Sequence, residues 1–199
     1  MPTTNKRDRL VDAARTLAYR QGFRATTLAD VAAEAAVPLG NVYYYFRTKE
    51  SLGAALVDRW AAEYKTLRTR WDALPDPRDR LLAFVEMTVA NRDGLARSGC
   101  PIGTLCTELG KEGGPLADRG ARIFGDLLVW LADQFRALGG PADPDEQALQ
   151  LLSATEGASV LAHSLGSATL VSREGARLTR WINDLAAAPA HHTPAKGTG

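Results

Sequence analysis

Residues 26–51 read TTLADVAAEAAVPLGNVYYYFRTKES, and the place where this stretch breaks decides the fold. Thr27 is a hydroxyl N-cap and Asp30, three residues on, supplies a matching acid, so the pattern predicts a helix from Leu28 to Ala35. Val31 and Ala35 share one face at i, i+4 spacing, while Asp30 and Glu34 lie on another. Ala36-Val37-Pro38 interrupts that helix, because Pro38 has no N–H and disfavours helical geometry at Val37. Leu39 to Phe46 then forms a second helix, too short to stand alone. It carries Gly40, Asn41, Tyr43, Tyr44 and Tyr45, with Arg47 and Lys49 just beyond. Three consecutive tyrosines on two turns cannot all be buried. At least one faces outward and at least one joins Phe46 in the core. Two short helices at a steep angle, the second aromatic and flanked by base, make a helix-turn-helix whose second helix enters the DNA major groove.

At these residues the chain resembles the TetR family of transcriptional regulators. The family's fixed-spacing pattern is matched by Thr26, Thr27, Val31, Ala32, Ala35, Val37, Gly40, Val42, Tyr43, Tyr45, Phe46, Lys49 and Leu52. Ala36 stands where the family has Gly, and Pro38 where a capping Ser is common. Pro is tolerated at a first-turn position. The resemblance implies Leu39, Gly40, Asn41 and Tyr44 toward base edges or the groove wall, and Thr27, Tyr43, Tyr45 and Lys49 toward phosphates. It also implies a homodimer on a palindromic duplex, repression relieved by a small-molecule effector, and no cofactor.

The bulk properties exclude more than they assign. The length of 199 residues supports a substantial core, and the apolar and charged fractions are those of an ordinary globular protein. No run of 18 apolar residues exists, so no membrane partner is expected. MPTTNKRDRL lacks the apolar stretch of a secretory signal, and two cysteines make no disulfide framework; a reducing cytoplasm is the expectation. Residues 1–50 carry eight Lys/Arg against five Asp/Glu, a net +3, leaving −2 for the remainder of a chain whose total is +1. A basic first quarter on a mildly acidic body suits phosphate.

In order, the chain predicts about nine helices and no strands: an all-α fold with a three-helix head (residues 1–50) and a helical body (51–188) for ligand binding and dimerisation. Asn5 caps a helix over Lys6–Gln21 that Gly22 stops. Thr48 caps a long helix from Lys49 to about Trp71, with Leu52, Leu56, Trp60, Tyr64, Leu67 and Trp71 on one stripe. This helix links head to body, so a tilt at its far end moves the head. Pro77 to about Arg97, Ile102 to Lys111, Leu116 to Leu138 and Pro144 to Leu165 follow, and Ser172 is the expected cap of the last helix. Residues 189–199 read as a disordered tail. In the resemblance, the last two long helices form the dimer interface, here Gly157, Ala158, Leu161, Leu165, Trp181 and Leu185.

Trp60, Tyr64, Phe84, Met87, Phe124, Leu127 and Trp130 are more aromatic and large apolar mass than a small bundle needs, and all but Trp130, with Asn91 and Cys106, are the candidate lining of a ligand pocket. Plain core is the competing reading for each. Glu156 and His163 are further polar candidates, each also readable as a surface or interface residue. Cys100 and Cys106, in GCPIGTLCTELG, resemble the cysteine-bearing, electrophile-responsive branch of the family, and a thiol at a helix start has its thiolate favoured by the dipole. Cys100 is the better redox candidate of the two. The cysteine spacing fits no zinc motif, His191-His192 lies in the tail, and Gly110-Lys111 lacks the earlier glycine of a phosphate loop. With no acid–base or nucleophile constellation, an enzyme is disfavoured; a TetR-shaped protein-interaction module is the remaining alternative.

Overall fold

The computed structural model describes residues 5–140 and 142–187. Among them the chain is all α, in the order α1 (Lys6–Gln21), α2 (Leu28–Glu34), α3 (Leu39–Tyr45), α4 (Lys49–Asp72), α5 (Pro77–Ala90), α6 (Arg92–Ser98), α7 (Pro101–Glu112), α8 (Pro115–Leu138), α9 (Pro144–Leu165) and α10 (Ala168–Ala187). The expected tail and His191-His192 fall outside the described residues.

Capping chemistry sets most boundaries. Asn5 Oδ1 accepts the Asp8 N–H at 3.0 Å, and Gly22, at φ +88°, returns its N–H to Ala18. Asp76 and Asp143 cap α5 and α9 with Pro at the following position. Two expectations fail. The helix beginning at Pro77 does not run unbroken to Arg97; Asn91, at φ −92° and ψ 10°, breaks it and caps α6. Ser172 does not start the last helix, because Gly166 adopts the left-handed conformation that stops α9 and α10 begins at Ala168.

The head core joins Leu10, Ala14 and Leu17 of α1 to Val31, Val42 and Phe46, all buried. A second cluster welds head to body. Phe23, from the loop after α1, packs with Leu56 and Val57 of α4, Ile102, Leu105 and Leu109 of α7, and Ile123 of α8. Gly53 permits this approach, since a Cβ there would lie 2.7 Å from the Phe23 ring and 2.9 Å from Leu116. Truncating Leu56, fully buried at this junction, would remove about 2–5 kcal/mol of stability. The body core centres on Trp71, Leu81, Phe84, Leu131, Phe135 and Leu178. Here α5 and α10 meet closely, for a Cβ on Gly175 would fall 2.2 Å from Val89 Cγ2.

Candidate functional site

The helix-turn-helix is held by its own backbone and by one arginine. Thr27 and Asp30 form a full capping box: the Asp30 N–H donates to Thr27 Oγ1 at 3.1 Å and the Thr27 N–H to Asp30 Oδ2 at 2.9 Å. The Thr27 hydroxyl also donates to Asp30 Oδ2 at 2.7 Å, and the side-chain and then the backbone bond from Thr27 hold the Asp30 carboxyl below the usual carboxylate range. Ala36 takes φ +50°, where the family prefers Gly, and the Val37 N–H returns to the Ala32 carbonyl at 2.9 Å. Arg9 Nη2 donates to the Ala35 carbonyl and, at 3.2 Å, to that of Ala36, satisfying groups the turn leaves open. Arg9 is thus more than one of the eight basic residues of the first fifty. Its role is to brace the turn.

On α3, Tyr44 is 81% exposed, Tyr43 52% and Leu39 41%, while Tyr45 is half-buried against the head core and meets Tyr44 edge-on at 5.0 Å. Gly40 faces open space, and Asn41 is partly exposed. Lys49 is less free than expected. Its Nζ donates to the Arg24 carbonyl at 2.7 Å and lies 5.0 Å from the Phe23 ring centre. Arg7 covers Phe46, and Arg15 pairs with Glu63 over the Trp60 ring. Much of the basic count of residues 1–50 is therefore engaged within the protomer; exposed Arg47 carries no ion pair among the described residues.

Beneath the head lies a cavity of about 440 Å³. Six expected residues line it: Trp60 and Tyr64 from α4, Phe84 and Met87 from α5, Asn91 at the α5–α6 break and Leu127 from α8. Two expected residues do not. Cys106 points to α8, where its Sγ would lie 3.4 Å from a Cβ on Gly120, and Phe124 packs in the head–body cluster. His163 is exposed, its Nδ1 3.4 Å from the Ala96 carbonyl, and lines no part of the cavity. A further wall comes from α1, where no lining residue is expected from the sequence: Arg15, Thr16, Tyr19 and Arg20. Only the pairing of an i, i+4 polar–aromatic face (Arg15, Tyr19) with the core face of α1 hinted at it.

The inner polar groups have a simple character. Thr88, Thr155 and Ser159 donate their hydroxyls to the carbonyls of Phe84, Leu152 and Thr155, within their own helices. The Tyr19 hydroxyl is buried beside Asn91 without completing a hydrogen bond. Burial pushes the Tyr64 hydroxyl up from its ordinary value. Glu156 faces the cavity from α9, and burial holds its carboxyl above the usual range.

The thiols behave differently from the helix-dipole expectation. Cys100 does cap α7, its Sγ accepting the Gly103 N–H at 3.3 Å. Yet burial, and then the neighbouring Glu156 carboxyl, drive the Cys100 thiol up rather than down. Cys106 is pushed up to about 11 by the same two causes in the same order. Neither thiol is poised as a thiolate near neutrality.

The α9 surface carries an unpartnered apolar face: Leu149 49%, Val160 62%, Leu161 54% and Leu165 69% exposed, with Gly157 beside them. Three residues expected on the interface also pack within the protomer. Ala158 is buried under α10, and Trp181 and Leu185 pack on the body core, with the Trp181 ring 5.5 Å from Phe135. Their i, i+4 repeat is the inward stripe of α10, whose outward face carries Arg173, Arg177 and Arg180.

A three-helix head with a helix-turn-helix, rigidly joined to a helical body enclosing a cavity, defines a one-component DNA-binding regulator. Residues 10–56 match the model of the bacterial regulatory proteins, tetR family. The transcriptional regulator AcuR of Cereibacter sphaeroides is 31% identical over 150 residues, covering 69% of this chain and 67% of that protein. The HTH-type transcriptional repressor NemR of Escherichia coli K12 is also 31% identical, over 108 residues that span 53% of each chain. In fold, the crystal structure of reduced E. coli NemR matches with a TM-score of 0.76 at 23% identity, covering 88% of this chain and 96% of that one. A TetR regulator from Legionella pneumophila matches with a TM-score of 0.82 at 18% identity, covering 92% and 100%. The chain belongs to the TetR family of bacterial regulatory proteins, and is a DNA-binding transcriptional regulator rather than an enzyme.

Proposed function

We propose that the chain is a cytoplasmic repressor that grips a palindromic operator as a homodimer and lets go when a small molecule fills the cavity. The observation that carries this reading is the shared wall: α1, a helix of the DNA-binding head, lines the same cavity as α5, α8 and α9 of the body. A ligand there touches both parts at once. Wedging Tyr19 or Trp60 outward would rotate the head about the Phe23 junction. A coupling of about 1–3 kcal/mol lowers operator affinity about 5–150-fold.

In this reading residues 5–50 read DNA and residues 51–187 sense and dimerise. Asn41 and Tyr44 meet base edges, Leu39 and Gly40 approach the groove wall, and Tyr43 and Arg47 meet phosphates. Thr27 and Lys49 position the head first, through Asp30 and Arg24, and reach phosphate only with what those bonds leave free. Two copies paired along the Leu149–Leu165 face place the α3 helices on successive major grooves, about 34 Å apart. The test is a binding titration on the DNA upstream of the chain's own gene, at several salt concentrations. A dimer that binds one palindrome with a steep negative salt slope supports the reading; weak, salt-insensitive binding to every fragment overturns it.

A further inference from the structure

We propose that the cavity takes an organic cation with an apolar or aromatic body, its positive charge settling against Glu156. This rests on the effector reading above and names the ligand class. Glu156 faces the cavity and takes part in none of the ion pairs among the described residues. The cations lining the cavity are Arg15 and Arg20, both on α1, and Arg15 is already matched by Glu63. Arg20 is exposed and carries no ion pair among the described residues, so the lining holds as many cations as acids, and Glu156 is the one acid of the interior without a cation beside it. Its seat is built: a Cβ on Gly103 would lie 2.5 Å from Glu156 Oε2, so only glycine admits the carboxyl against the first turn of α7. The Cys100 thiol is its polar neighbour there and brings no positive charge to offset the carboxylate. The same cavity is lined by the rings of Tyr64, Trp60, Phe84 and Tyr19, whose π faces attract cations. The hydroxyls of Thr88, Thr155 and Ser159 are already given to carbonyls, so none of the three competes for Glu156. A carboxyl kept unpaired in an aromatic chamber is costly for the empty protein and favourable only when a cation arrives.

The experiment compares the quaternary ammonium N,N,N-trimethyltyramine, its uncharged carbon isostere 4-(3,3-dimethylbutyl)phenol, and the anion 3-(4-hydroxyphenyl)propionate by calorimetry on the full-length dimer. The ammonium is expected to bind at least about tenfold tighter than the isostere, and the anion weakest. Glu156→Gln should erase that margin while leaving the isostere within about twofold. Glu156→Asp, which keeps the charge but withdraws it, should fall between the two. Equal binding of ammonium and isostere, or an unchanged ammonium affinity in Glu156→Gln, overturns the proposal. DNA release read in parallel separates the two claims. Release by the isostere alone sinks the cation class and spares the effector reading; Glu156-dependent ammonium binding without release upholds the class and sinks the effector reading.

Discussion

The Glu108 carboxylate accepts the backbone N–H of Arg24 at 2.8 Å, tying a helix of the body to the loop between the first two helices of the head. Arg24 also pairs through its side chain with Glu112, one turn further along α7, and its carbonyl receives Lys49. The start of the same helix, Cys100 and Pro101, walls the cavity. A shift at the cavity end of α7 is thus felt at the head through twelve residues of helix. This route runs beside α4.

Glu108→Ala removes the acceptor while Arg24→Ala keeps the N–H that it served. Hydrogen exchange should therefore show the Arg24 amide losing protection in Glu108→Ala, with a stability loss of about 0.5–1.5 kcal/mol. Arg24→Ala breaks only the exposed pair with Glu112 and should stay within about 0.5 kcal/mol of wild type. Equal effects of the two substitutions would show that the backbone bond contributes nothing.

Gly22→Ala is expected to be worse than either. The residue has φ +88°, and its new methyl would lie 2.6 Å from Glu108 Oε1. Strain and displaced carboxylate together should lower stability by about 1–3 kcal/mol in urea unfolding. A midpoint unchanged from wild type would mean that the loop simply rearranges.

At the DNA face, Asn41→Ala should change which operator variants bind, by about 1–3 kcal/mol at the base it reads. Arg47→Ala should instead weaken all sequences alike and reduce the salt slope by about 1. A set of single-base operator variants measured at two salt concentrations distinguishes these behaviours.

Leu161→Glu places a charge in the middle of the exposed α9 face, where Val160 and Leu165 flank it. Sedimentation should find a folded monomer, and operator affinity should collapse because two half-sites must be held at once. A dimer that survives the substitution would move the interface elsewhere.

The buried acid also predicts a pH effect of definite sign. The folded protein holds the Glu156 carboxyl above its unfolded value, so between those two values the folded state binds more protons. Wild-type stability then falls as pH rises through that window. Glu156→Gln lacks this penalty, so its advantage in thermal midpoint should be present at pH 7 and vanish once pH drops below the ordinary glutamate range. A gap that persists unchanged into acid would assign the effect to packing.

Local signals carried the helical map because caps and prolines act over three or four residues. Thr27 with Asp30, Asp76 with Pro77 and Asp143 with Pro144 each announce a helix start in the sequence and each appear as hydrogen-bonded caps. Ser172 misled because a hydroxyl before a helical stripe looks like a cap, while the real stop signal was the left-handed Gly166. The cavity was half legible. Aromatic excess on α4 and α5 points inward, but the polar–aromatic face of α1 does not by itself say that Tyr19 will share a cavity with Asn91 and Glu156, far along the chain. Cys106 and Phe124 were assigned by composition, and only tertiary packing turns them toward α8 and the head. On α10, Trp181 and Leu185 lie half-buried against the body core, and amphipathic period alone does not say whether such a stripe meets its own protomer, another, or both.

Gly175 bears on how all these parts move together. With no side chain there, α10 rests directly on Val89 of the helix whose inner turns bear Phe84 and Met87. A guest that shoulders α5 aside therefore presses on α10 at this point of contact. A single missing methyl thus makes the chamber's rear panel part of the lever.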